Sequence, residues 1–353
     1  MSITFSPLDT PNQQVALQRV ADAEHRLLAE IHTQEQGTDT FHTLKWRIAS
    51  CRVLENLIRL GPNESTRSSV ALSIVGCRDE SQLVELGASY VQDLLIPLRG
   101  PKCRAPDLGG VSRFIFDEDD DEMDNAAQGL LQDHNTAKMK ALFRDSSRCV
   151  VTGHIDLSAA ENNIVLQKEV KEEFTRYSHY ICENTRGVHI LPESTRRPDN
   201  QAGTSVWEIL ERFGYESLCK ENTGVGHHRL QNLLTMEPDV CDLFNSLKLW
   251  FEPTERDNTY RIKCYHWAFI NLEREVTFTT PDAKTFPLPS RESLEIHATC
   301  CKVIHASDIL TYIDELLDVY SDCDDDEVSC MDDKEDSEEN WSSDEDPELA
   351  SKD

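Results

Sequence analysis

The chain reads as an α+β protein, a helical N-terminal region followed by a region in which short strands and helices alternate. Three observations carry that reading. Up to about residue 145 apolar residues recur at helical spacing; after Arg148 short β-branched runs bounded by turn residues take over; the last apolar stretch returns to helical spacing.

The elements follow in order. "PNQQVALQRVADAEHRLLAEIHT" lines up Val15, Leu17, Val20, Ala23, Leu27, Leu28 and Ile31 along a helix, with Pro11 where a first turn accepts it. "FHTLKWRIASCRVLENLIRLG" repeats the pattern and stops at Gly61. "DESQLVELGASYVQDLLIPL" and the shorter "NTAKMKALFRDS" predict further helices, whose faces can pack a bundle or receive a protein partner. Beyond them "RCVVTG", "RGVHILP" and "LQNLLTME" predict short strands. "PDVCDLFNSL" predicts a helix with Pro238 in its first turn and Asp242 near its positive end. "KLWFEP" and "TYRIKCYHWAF" alternate as a hairpin around "TERDN", and "SRESLEIHATCCKVIHASDILTYIDELLDVY" gives one or two closing helices capped by Ser290 or Ser293. Trp207 and Phe213 fall on a helical pattern and are expected to pack against the hairpin-and-helix region.

Charge sets the outer segments apart. The formal charge is -30, of which about -14 lies between Ser321 and Asp353 and about -7 in "DEDDDEMD", Asp117 to Asp124. The first has almost nothing apolar to bury and is expected to be a disordered acidic tail. The expected organisation is a helical region over 1–102, an acidic linker over 103–134, a main domain over 135–320 and the tail over 321–353. A chain this acidic can meet nucleic acid only through a local basic surface, while its tail and N-terminal helices can meet other proteins.

Twelve cysteines include no CxxC pair, no basic-then-apolar leader opens the sequence, and no uninterrupted apolar run is long enough to span a bilayer. An intracellular protein of nucleus or cytoplasm with reduced thiols and no membrane partner is expected. Cys149 and Cys182 are either buried thiols or zinc ligands; Cys300 and Cys301 read as small core residues. His297 and His305, two helical turns apart, share a face and are expected to pack beneath the neighbouring core.

Six blocks then stand in one order: "RCVVTG" at 148–153, "VHILPES" at 188–194, "SVWEILERFG" at 205–214, "HHRLQNLLTM" at 227–236, "DLFN" at 242–245 and "IHATCCKVIHAS" at 296–307. Together they resemble the His-Asn-His (HNH) endonuclease-domain proteins of fungi, whose core is two strands and a helix around a metal, and the likeness spans most of residues 145 to 320. The resemblance implies hydrolysis of DNA or RNA phosphodiesters with one divalent cation, magnesium or manganese, zinc being the alternative. His189 matches the general base and Asn232 the middle Asn that orients the loop or helps hold the metal. His228 matches the histidine of the fourth block and joins Cys241 and Asn245 as a candidate ligand. The family's helix carries a His and, four residues on, an Asp; here Cys241 and Asn245 stand there, and Val188 precedes His189. A soft thiolate and a neutral amide are poor partners for a hard cation. Two readings follow, an HNH-type nuclease with altered metal use and a catalytically inactive binding module on the same fold. In either, His189, Asn232 and Cys241 are expected to converge on one cleft.

Overall fold

The structure, a computed structural model, describes residues 10–100, 134–177, 182–192, 206–221, 229–266 and 274–314. The acidic linker and tail therefore fall outside the described residues. The chain divides into a unit from Met1 to Leu310 and a second from Thr311 to Asp353. Helices with two small antiparallel sheets make the first unit a mixed α+β structure.

Four helices open it. α1 (Pro11–Ile31) begins with a capping box in which the Thr10 hydroxyl accepts from Gln13 N while the Gln13 amide accepts from Thr10 N at 2.7 Å. It buries Leu17, Val20, Ala23 and Leu27 of the predicted stripe together with Ala16, while Val15 at the start of that stripe is 50% exposed. α2 (Asp39–Leu60) ends at Gly61 and buries Ile48, Cys51, Leu54 and Leu57. α3 (Glu64–Gly76) is capped by Asn63, and α4 (Glu80–Tyr90) by Asp79, before a π turn over Val91–Leu95. Gly87 lets α4 touch α2: a Cβ there would sit 2.2 Å from the Ser50 carbonyl oxygen.

α5 (His134–Arg144), α6 (Leu157–Asn162) and α7 (Ile164–Tyr177) precede β1 (Arg186–His189). α8 (Val206–Arg212) and α9 (Glu216–Glu221) lie between β1 and β2 (Leu233–Met236), and α10 (Pro238–Asn245) follows β2 directly. β3 (Leu249–Pro253), β4 (Thr259–Cys264) and β5 (Glu275–Thr277) form the second sheet, the β3–β4 turn using Asn258 at φ 51°. α11 (Arg291–Ala306) closes the unit against β3 and α2; Ser290 caps it, accepting from Ser293 N, while Ser293 is itself buried.

Two expectations change. "RCVVTG" forms a turn with one isolated bridge, Arg148 to Ile155, because Gly153 N donates to Cys149 O and Cys149 N to His154 O; only Val150 N reaches a strand, at Thr235 O. Phe213 packs on the N-terminal helices, its ring 6.1 Å from that of Tyr90, instead of on the β1–β2 region.

Candidate functional site

β1 and β2 pair antiparallel, with His189 opposite Leu233 and Val188 opposite Leu234. Strand alternation gives this small sheet two faces. Val188, Ile190, Leu234 and Met236 enter a buried cluster with Val240, Cys241 and Phe244 of α10 and with Leu249, Phe251 and Ile262 of the second sheet. The other face carries Gly187, His189, Leu233 and Thr235 and is covered by α5, whose Ala137 and Ala141 pack with Leu230 and Leu233.

Asn232 ties the end of β1 in place. Its Oδ1 accepts from Leu191 N at 2.9 Å, its Nδ2 donates to Leu191 O at 3.0 Å, and its backbone carbonyl accepts from Ile190 N at 2.8 Å. The residue is 1% exposed, so these bonds form away from water. Asn232 thereby orients the chain immediately after His189, which is half-buried at the strand end. Asn232→Ala is expected to lower stability by about 2–3 kcal/mol, since two buried Leu191 backbone groups lose their partner. Amide exchange should speed at Leu191 before it speeds in α1, and unchanged exchange there would refute this tie.

The candidate ligands lie elsewhere. Cys241 is 1% exposed and disulfide-bonded, so the thiolate expected of it is not there to give. Asn245 points its Nδ2 at Cys241 Sγ, 3.5 Å away, and its carbonyl accepts from Gly100 N at 3.0 Å. The chain at Gly100 lies so close over this amide that a Cβ there would be 2.5 Å from Asn245 Oδ1. Val188 is 3% exposed in the same apolar cluster. His228 lies outside the described residues. Asp239 is exposed in the first turn of α10, where its charge favours the helix dipole. The structure thus brings His189 and Asn232 to one end of the hairpin and places Cys241 and Asn245 across the sheet from His189.

Among the described residues no group of three or more His, Cys, Asp or Glu side chains could hold a metal ion. Of the candidate ligands among the described residues, Cys241 is a disulfide sulfur and Asn245 an amide covered by backbone, and neither fits a hard cation. Placing a dication in that apolar cluster would strip its hydration without supplying the oxygens it needs. Cys149 and Cys182 are free thiols; Cys149 Sγ lies 3.5 Å from both Thr152 N and Glu237 N, and Cys182 Sγ donates to Ile155 O at 3.0 Å.

Several polar groups around the hairpin have no counterpart in the sequence reading. Glu237 Oε1 is shared by the Thr152 hydroxyl at 2.8 Å and His154 Nδ1 at 2.7 Å, fastening the 149–155 turn to the start of α10. Arg144, fully buried, pairs with Asp145 and reaches three carbonyls across the hairpin. Lys138 of α5 lies over Gly187 of β1. Only the Arg-Asp dipeptide at a helix end hinted at any of this. No family model, no curated protein and no solved structure matches the chain.

Proposed function

We propose that this protein is a non-catalytic binding module built on an HNH-like hairpin and helix, the phosphodiester-hydrolase reading being the one set aside. The observation that carries the proposal is the filling of the ligand face. Val188, Cys241 and Phe244 form continuous core with Leu234, Met236 and Leu249, where a nuclease of this type would need a hydrated cation. Retention of Asn232 as the strap on the 189–191 segment supports descent of the scaffold. It accounts for the persistence of His189 at a strand end without requiring that it remove a proton. A module of this kind serves by presenting a rigid surface to a nucleic acid or another protein, and among the described residues no helix is long and apolar enough to cross a membrane.

The test is a titration of the full-length chain with magnesium, manganese and zinc by calorimetry, beside plasmid nicking with each metal. No saturable magnesium or manganese binding tighter than about 1 mM is expected, and no nicking above that of His189→Ala. Metal-dependent nicking abolished in His189→Ala would restore the enzyme and overturn this reading.

A further inference from the structure

We propose that the outward face of α7 is a docking surface for the chain's own segment 114–124, which sets Phe114, Ile115 and Phe116 on its apolar residues and lays its acids along Lys168 and Lys171. The inference stands apart from the metal question, because none of the candidate ligands lies on α7.

α7 is held from one side. Glu169 and Glu173, one turn apart, both meet Arg148: Glu169 Oε2 lies 2.7 Å from Nη2 and Glu173 Oε1 3.7 Å from Nη1. Leu166 and Val170, half-buried, fall on the same side. The opposite side is open. Ile164 is 75% exposed, and Lys168, Lys171 and Thr175 follow it at helical spacing, all exposed, with Val165 on one flank at 60% and Phe174 on the other at 57%. A depression of about 460 Å³ on this side is lined by Lys168, Lys171, Glu172, Thr175 and Arg176. A helix of 14 residues is marginal by itself in water and is normally stabilised by burying an apolar face. α7 leaves three large apolar side chains in solvent instead, so its outward face is suited to a cover.

Charge says what kind. With Glu169 and Glu173 turned to Arg148, the outward side carries Lys168, Lys171 and Arg176 against Glu172 alone. Glu172 pairs with Lys168 at 3.8 Å, but both are exposed, and such a pair is weak enough to be exchanged for a better one. The complement of a face that is apolar at its start and cationic along its length is an acidic segment with an apolar anchor. Residues 114–124, "FIFDEDDDEMD", have that composition, three apolar residues running straight into an acidic run. The acidic stretch from Ser321 to Asp353 has no three consecutive apolar residues to offer.

The chain is long enough to bring the segment there. From Phe116 to His134, where α5 begins, it reaches about 60 Å when extended. The path from α5 to α7 is shorter. Gly187 of β1 lies against Lys138 of α5, and Thr185, two residues earlier, donates its N–H to Asp156 at 2.7 Å; Asp156 caps α6, which runs into α7.

The test couples lysines to carboxylates in the full-length chain with a zero-length carbodiimide at low salt, read by peptide mass spectrometry, beside amide exchange of α7. Lys168 and Lys171 should couple to acids of 117–124 within one chain. Phe114→Ser with Phe116→Ser should lower that coupling about fivefold and speed exchange of the 164–177 amides about tenfold, with α1 unchanged. Lys168→Glu with Lys171→Glu should speed the same amides, and adding Asp119→Lys with Asp120→Lys should restore their protection, a rescue that a helix merely weakened by substitution does not show. Coupling of these lysines chiefly to acids of 321–353, or between chains in a yield that rises with protein concentration, would overturn the proposal in favour of the tail or a second copy. Exchange of α7 that the phenylalanine variants leave unchanged would overturn it outright.

Discussion

Replacing Arg144 by methionine is expected to cost about 3–5 kcal/mol of folding stability, the cost of breaking a buried ion pair from one side. The guanidinium is 0% exposed and engages three carbonyls and a carboxylate. Nε and Nη2 hold the two Asp145 oxygens at 2.7 and 2.9 Å; Nη2 also donates to Leu233 O at 2.8 Å, and Nη1 to Leu230 O at 2.7 Å and Pro287 O at 3.3 Å. Methionine fills most of the volume but leaves Asp145, 4% exposed, charged and without its cation, with only Thr235 N still donating to it at 3.2 Å. Three carbonyls lose donors in the same step. Lysine would keep the charge and lose the fork, so Arg144→Lys should cost about half as much. Because Leu230 and Leu233 bracket Asn232, the damage should reach the loop that Asn232 holds, and amide exchange at Leu191 should rise in parallel. Urea unfolding midpoints decide the matter. A loss below about 1 kcal/mol in Arg144→Met would mean that the fork does not hold the hairpin against α5.

The same arginine shows where sequence reasoning stops. Its carbonyl partners lie 86 to 143 residues away, and no periodicity or local spacing announces them. The long helices were legible because one burial stripe repeats at the helical period, as in Leu17, Val20 and Leu27. The β3–β4 hairpin was legible because two alternating runs flank "TERDN", and the structure turns there with Asn258 at φ 51°. α3 was not, since "ESTRSSVALSIVG" hides its few buried positions, Thr66, Val70, Ala71 and Ile74, among serines. α7 was missed for a related reason: its apolar residues are not buried, Ile164, Val165 and Phe174 being exposed, so no sharp stripe marks it. At the candidate site, the two short apolar runs that hold His189 and follow Asn232 were readable as strands, and they pair. That Val188 and Cys241 belong to one core cluster was not, because it depends on the second sheet and α10 closing over the same strand face.

Acidification should unfold the protein partly through His297. The ring is 1% exposed, stacked on Phe244 with centroids 3.8 Å apart and planes at 8°, and its Nε2 lies 3.3 Å from Phe244 O. Nε2–H donates to that carbonyl, and Nδ1, 3.6 Å from Cys301 Sγ, accepts from a thiol that burial keeps protonated. This neutral tautomer has no group to receive a second proton's charge, and burial pushes His297 from 6.5 down to about 3 against the opposing pull of the Phe244 carbonyl. The unfolded chain therefore binds a proton that the folded chain refuses. Stability from this group is fully present above pH 6.5 and is lost progressively as pH falls toward about 3, at about 1.4 kcal/mol per pH unit. His297→Gln keeps an amide donor for Phe244 O and does not titrate. Between pH 6.5 and 5 the wild type should lose about 2 kcal/mol more than this variant, measured by urea midpoints at each pH. His305, bonded through Nε2 to Leu247 O at 2.9 Å and likewise lowered by burial, is present in both proteins, so the difference isolates His297. Equal pH slopes would mean that the buried ring takes up its proton without disturbing the core. Because both histidines hold carbonyls at or just beyond the C-terminal end of α10, acid should loosen that end of the helix. It is the end that carries Asn245, and protection of the α10 amides should fall with pH in the wild type and less in His297→Gln.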